Sequence, residues 1–249
     1  MSANEAVIRF EGVSKSFGSK KVLQDVSFDI ARGSAFCILG RSGTGKSVTL
    51  KLMIGLLKPE QGRIFVEDQE ITALHARELP AVRKTMGFVF QNAALFDSLS
   101  VGENVAFPLR RHTNKPEPEI RDRAREKLAQ VGLENEFDKM PADLSGGMRK
   151  RAGLARALAL DPSILLVDEP SAGLDPITSS EIDRLLIKLK SERDTTLVVV
   201  THNIPSSRRI GDEFVVMHEG HFIAQGTAKE LDQSEHAVVR EFMKSDGGG

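Results

Sequence analysis

The chain has 249 residues, 40% apolar and 28% charged, a balance typical of a folded, water-facing protein long enough to bury one large α/β core or two modest ones. Its formal net charge of −1 supplies no overall field to attract nucleic acid or an anionic membrane, so no nucleic-acid partner is expected. No apolar run approaches the roughly 18 residues of a bilayer span, and the single cysteine, Cys37, excludes an intrachain disulfide and argues against a zinc site. The opening Met1-Ser2-Ala3-Asn4-Glu5 lacks the basic start and apolar run of a secretory signal, which makes the cytoplasm the expected location.

In chain order, the first thirty residues alternate apolar and polar, as in Val7-Ile8-Arg9-Phe10 and Val26-Ser27-Phe28-Asp29-Ile30, with a turn at Phe17-Gly18-Ser19-Lys20. That period of two predicts an antiparallel β layer. Ala35 to Leu39 is too short for a helix and precedes a glycine-rich stretch, after which Ser47 to Leu57 carries helical residues. Strand, loop and helix are expected there, with Cys37 a buried thiol. Arg63 to Glu67 and Met86 to Phe90 read as further strands, the second ending at Gln91. From Ala93 to Leu160 the strand signal fades, Pro116 and Pro118 mark a bend, and a charged helix runs from Glu119 to Val131. This segment, about 93–160, reads as a helical subdomain inserted in a catalytic core of about 1–92 and 161–249. Ile164 to Val167 and Thr196 to Val200 are buried strands separated by a helix from Ile177 to Lys190, the form of parallel βαβ units. Val215 to Met217 and Phe222 to Ala224 flank a turn at Glu219-Gly220, Ala228 to Lys244 closes with helix, and the terminal triple glycine is expected to be disordered. The fold class is α/β with a mostly parallel core sheet.

The strongest chemical signal is Gly40-Arg41-Ser42-Gly43-Thr44-Gly45-Lys46-Ser47, a complete G-x-x-x-x-G-K-[ST] between a predicted strand and a predicted helix. Only a side-chain-poor loop lets backbone N–H groups close on phosphate oxygens, and the helix that follows turns its positive end to the same anion. Lys46 is then suited to the β and γ phosphates of ATP, and Ser47 to Mg²⁺. A second signal is Asp168-Glu169 at the carboxyl end of the strand Ile164 to Val167. Asp168 suits Mg²⁺ held through water, and Glu169 suits polarisation of an attacking water. Between them lies Leu144-Ser145-Gly146-Gly147-Met148, where Ser145 reads as a helix N-cap and the glycines bare the amides of the first turn. It is a second anion site, and one nucleotide does not need two.

Leu-Ser-Gly-Gly with these flanks resembles the signature of the ABC ATPases, and the likeness covers nearly the whole chain as one domain, 1–249. It implies a dimer in which the signature of one protomer closes on the γ phosphate held by the P-loop of the other. By the same resemblance Phe17 stacks on adenine and Gln91 senses Mg²⁺ and the attacking water. Ser171-Ala172-Gly173-Leu174-Asp175 is the D-loop and His202, at a strand end, the switch histidine. His218 and His221 are assigned to the surface. Three positions depart from the commoner pattern: Phe17 in place of tyrosine, Val48 where a second hydroxyl residue often follows, leaving its backbone amide, and Met148 in place of glutamine.

Leu-Ser-Gly-Gly-Met with Arg149-Lys150-Arg151, the segment Ala93 to Leu99, and Asn104 to Arg110 are similar to the Mla-type ATPases. That likeness implies an ATP-hydrolysing subunit on the cytoplasmic face of a bacterial inner membrane, bound through an integral permease. An Mce-domain lipid-binding protein completes the complex, which moves phospholipids or other hydrophobic molecules between envelope membranes. It also makes Asn92 to Leu99 the place where a permease helix docks, although Leu95, Phe96 and Leu99 could instead pack inside the helical subdomain. A basic Arg149-Lys150-Arg151 could also bind nucleic-acid phosphates, but the chain has no long heptad insertion or second ATPase domain to support that class. An assembly or regulatory ATPase would share the same motifs.

Overall fold

The computed structural model describes residues 5–245; Met1 to Asn4 and the terminal glycines, two stretches with sequence-based expectations, lie outside the described residues. Strands β1 (Ala6–Phe17) and β2 (Lys20–Ala31) form an antiparallel hairpin across Gly18 and Ser19. β3 (Ala35–Leu39) leads through the glycine-rich loop into α1 (Lys46–Met53). This helix is shorter than the sequence pattern predicts because Gly55, at φ 66°, ends it. Leu56 N–H donates to Lys51 O at 2.8 Å and Gly55 N–H to Leu52 O at 3.0 Å, a Schellman closure that prevents continuation to Leu57.

β4 (Gln61–Val66), β5 (Gln69–Glu70), α2 (Leu79–Lys84) and β6 (Met86–Val89) follow, then three helices: α3 (Val101–His112), α4 (Glu117–Gln130) and α5 (Gly146–Ala157). Pro118 falls inside α4 rather than in the bend before it; its missing N–H is harmless in a first turn that has no partner for it. β7 (Ile164–Asp168), α6 (Pro176–Arg193), β8 (Thr196–Thr201) and α7 (Ile204–Ile210) complete the βαβ region. β9 (Glu213–His218) and β10 (His221–Gly226) form a hairpin, with Glu219 and Gly220 both at positive φ. The closing helix is two helices, α8 (Ala228–Asp232) and α9 (Ala237–Lys244), because four poor or bending positions, Gln233 to His236, separate them and Arg240 reaches back to the carbonyl of Glu235.

The core sheet has the order β10-β9-β3-β8-β7-β6, parallel except for the β9–β10 hairpin, and an antiparallel sheet β2-β1-β4-β5 lies over one face. Alternation along each core strand divides the interior in two. Cys37, Leu39, Val167 and Val199 face the helical side with α3 to α6, whereas Phe36, Ile38, Leu166 and Val200 face α1 and the antiparallel layer. Burial on both faces is why these strands read as continuous apolar runs. It also pushes the Cys37 thiol far above its ordinary range, as an inert buried thiol requires.

Candidate functional site

All the parallel strands end at one edge, and the chemistry-bearing residues of the sequence collect there. The loop after β3 is cramped from both sides. A Cβ on Gly40 would stand 2.7 Å from Met217 O, and one on Gly45 2.8 Å from Val22 Cγ1, with Gly45 at φ 111°. Glycine is therefore required by packing of the loop between β2 and β9, and the result is a bare backbone cradle leading into α1. Ser42, Gly43 and Thr44 form its rim, Thr44 fastened by Oγ1 donating to Arg41 O at 2.9 Å. Val48, half-buried, packs towards the antiparallel-layer side of the core.

Lys46 is 5% exposed and folded back on this loop, donating to Gly40 O at 2.8 Å and Arg41 O at 3.0 Å. Ser47 Oγ donates to Asp168 Oδ1 at 2.9 Å, so the hydroxyl of α1 and the acid of β7 meet as two hard oxygen donors. Burial holds the Asp168 carboxyl above the usual carboxylate range, outweighing the Ser47 hydrogen bond. Glu169, one residue past β7, turns into the left-handed region at φ 47°. Its N–H donates to Val200 O at 2.9 Å, and its carbonyl accepts from Lys150 Nζ at 3.0 Å and Ala172 N at 3.2 Å. The carboxylate lies 3.0 Å from His202 Nδ1, accepts from His202 N–H at 3.3 Å, and is 3.4 Å from Lys46 Nζ. Carboxylate and imidazole so placed favour Nδ1 as the protonated ring nitrogen.

Gln91 is exposed just beyond β6. The segment after it is held from the helical side. Ala93 and Ala94 have φ of 59° and 49°, and Arg156 of α5 donates to both of their carbonyls at 2.7 Å. Asn104, fully buried, accepts from Phe96 N–H at 2.7 Å and donates to the carbonyls of Phe96, Leu99 and Ser100. Leu95 packs against the core, but Phe96 is 44% exposed beside an equally exposed Phe107, ring centroids 5.0 Å apart.

Ser145 caps α5, its Oγ accepting from Met148 N–H at 3.2 Å. A Cβ on Gly147 would stand 2.4 Å from Thr178 Cγ2, so this glycine is needed for close approach of α6, while Gly146 has ordinary room beside Leu174. Among the described residues no hydrogen bond or ion pair joins Ser145, Gly146 or Gly147 to the P-loop of the same chain. Asp175 is committed as the N-cap of α6, accepting from Ile177 N, Thr178 N and Thr178 Oγ1. Phe17 ends β1, 49% exposed with the Lys15 ammonium over its ring 5.3 Å from the centre, an exposed aromatic at the end of the hairpin whose second strand supports Gly45.

A cavity of about 520 Å³ flanks the P-loop between Arg41, Ser42, His202, Met217 and the α9 residue Phe242. Phe17 is not part of its wall. His218 is: it lies at the surface, as expected from the sequence, and its half-exposed ring lines this cavity because β9 ends beside the P-loop. Sequence reasoning also missed Lys150, Arg156 and Asn104. For Lys150 a signal existed, since it stands three residues after Gly147 and four before Leu154, both buried, and so lies on the inward stripe of α5. Arg151 of the same basic run lies 3.9 Å from Glu181.

A glycine cradle before a helix, with a strand-end Asp-Glu pair and a histidine at the next strand's end, defines an α/β P-loop ATPase. The family model described as ABC transporter matches residues 23–172, and the chain belongs to this family of ATPases. It is 46% identical over 236 residues to the "Probable ribonucleotide transport ATP-binding protein mkl" of Mycobacterium leprae, covering 95% of this chain and 68% of that protein. It is 40% identical over 246 residues to the intermembrane phospholipid transport system ATP-binding protein MlaF of Haemophilus influenzae, covering 99% of this chain and 93% of that one. Among solved structures, the dimeric post-hydrolysis state of an ATP-binding cassette bound to ADP and Pi superposes with a TM-score of 0.82 at 34% identity, over 88% of this chain and 98% of that one.

Proposed function

We propose that this ATPase is the nucleotide-hydrolysing subunit of a bacterial lipid transporter, dimerising across ATP and bound through a permease to the cytoplasmic face of the inner membrane. The observation that carries the enzymatic part is the convergence of Lys46, Ser47, Asp168, Glu169 and His202 at one sheet edge. The bare cradle and the Ser47–Asp168 oxygen pair fit Mg-ATP, whose phosphates supply the bond to be cleaved. On this reading Gly40, Ser42 to Ser47 and the Val48 amide bind the phosphates, and Phe17 offers its face to adenine. Ser47 and Asp168 would hold Mg²⁺, which would neutralise phosphate charge, and Gln91 would sense the metal and the attacking water. Glu169 takes the proton of the attacking water, and His202, hydrogen-bonded to that glutamate, stands at the γ-phosphate end. Ser145, Gly146 and Gly147 serve the nucleotide of the second copy, with Asp175 shaping the D-loop between them. Exposure of the Ser145 cap, away from the chain's own P-loop, supports that arrangement, as do the dimeric structural neighbours.

Lipid as cargo, with an Mce-domain protein in the complex, rests on similarity to MlaF along nearly the full length of both chains. Ribonucleotide transport is a second reading, favoured by the higher identity to mkl, although the chain spans only about two thirds of those relatives. The deciding experiment isolates the native complex and reconstitutes it in liposomes. Co-isolation of a polytopic permease and ATP-dependent movement of labelled phospholipid are the expected results; ribonucleotide-stimulated turnover with no lipid movement would replace the lipid reading by the second one.

A further inference from the structure

Glu169 is the residue on which the proposed hydrolysis depends, yet its backbone is strained, at φ 47° with a side chain. A left-handed residue just past a strand end turns its carbonyl out of the sheet ladder, so other donors must orient it. Ala172 N–H supplies one, local to the loop, at 3.2 Å. The other comes from a different part of the molecule: Lys150, in the middle of α5, donates its ammonium at 3.0 Å.

Burying that ammonium is unfavourable. Desolvation lowers the Lys150 pKa in spite of the attraction of Glu169 and Asp168, and an unbranched apolar side chain would fill the same space without the penalty. The charge therefore needs a use. α5 is also fixed at both ends of its inward stripe: Gly147 is pressed against Thr178, and Gly153 lies so near Ala93 that a Cβ would stand 3.0 Å from Ala93 Cβ. Arg156 then grips the carbonyls of Ala93 and Ala94. One helix thus carries the Ser145 cap at its start, the Glu169 clamp in its middle and the segment following Gln91 near its end.

We propose that Lys150 is a positioning residue which holds Glu169 through its backbone carbonyl, so that movement of the signature helix α5 is felt at the catalytic carboxylate. The proposal rests on Glu169 being the general base, as in the function proposed above. Lys150→Met keeps length and helix propensity and removes the clamp. On the full chain it should lower kcat for ATP about 10- to 100-fold, the cost of a misplaced catalytic group, with KM within about twofold and the melting temperature unchanged or higher. Lys150→Arg, which can still donate to the carbonyl, should recover most of the lost turnover. Because Lys150 acts through Glu169, Lys150→Met should add no further loss in a Glu169→Gln background. An unchanged kcat, a loss that tracks a falling melting temperature without rescue by Arg, or a fully additive loss in the double variant would each overturn the proposal. Should Glu169→Gln alone leave hydrolysis intact, the general-base reading falls instead, whatever Lys150→Met does.

Discussion

The Lys46 ammonium and the Glu169 carboxylate stand 3.4 Å apart in side chains that are 6% and 10% exposed. The ammonium is also held by the loop carbonyls of Gly40 and Arg41, which complete its shell. Lys46→Ala should abolish hydrolysis and weaken nucleotide binding, since charge-assisted hydrogen bonds to phosphate contribute ~1.5–3 kcal/mol each. It should also lower the melting temperature, because it leaves the buried Glu169 with fewer partners. Adding Glu169→Gln should restore part of that stability and none of the activity, which thermal denaturation and an ATPase assay read separately.

Glu169→Gln retains shape and removes the proposed base, so hydrolysis should slow by about 10²–10⁴ with ATP binding retained. Bound ATP then persists, and the variant should move from monomer to dimer on addition of Mg-ATP when followed by size-exclusion chromatography with light scattering. A variant that binds Mg-ATP and stays monomeric would contradict the shared-nucleotide dimer.

Asp168 carries a stability signature of its own. Its pKa is raised on folding, so its contribution to stability is fully present below the unfolded value and is lost as pH rises through the folded one. At neutral pH the ionised side chain is a cost. Asp168→Asn, able to keep accepting from Ser47, should raise the melting temperature of the nucleotide-free protein by about 2–4 °C, the shift that ~1 kcal/mol gives in a chain of this size. That gain should shrink as the buffer is taken towards about pH 4. Stabilisation by Mg-ATP should shrink as well, a trade of stability against site chemistry.

Phe96 was open to two readings from sequence, core residue or partner anchor, and its 44% exposure removes the first. Asn104 holds the Phe96 backbone from below while the ring packs at a tilt against Phe107 at the surface. Phe96→Ala should therefore leave melting temperature within about 2 °C and basal ATP turnover intact. Permease pull-down should fall about 30-fold, the effect of losing an anchor worth ~2 kcal/mol. Normal pull-down would show that the exposed pair faces something else.

The elements that were legible in the sequence are those whose cause is local. An eight-residue P-loop between an apolar run and helix formers, and Asp168-Glu169 after four apolar residues, place their own strands and turns. The two-sided burial of the central strands β3, β7 and β8 is written as nearly unbroken apolar runs. The N-cap role of Ser145 was legible for the same reason, a hydroxyl that needs only the next three residues. Where the reading erred, a local stop was overlooked: Gly55 closing α1, or the break at Gln233 to His236 dividing the last helix.

What the amino-acid order determined by itself was which residues are candidates for the chemistry; what only the tertiary structure decided was which of them touch. Lys46, Glu169 and His202 are separated by 123 and 33 positions, and it is the β3-β8-β7 strand order, absent from any local pattern, that brings them within 3.4 Å. The Lys150 hydrogen bond to the Glu169 carbonyl depends on how α5 packs against the core sheet, and the placement of Phe96 on the hydrogen bonds Asn104 makes from inside. Such contacts are settled by packing between distant segments, where a side chain's role follows from the neighbours it meets and not from those beside it in the chain.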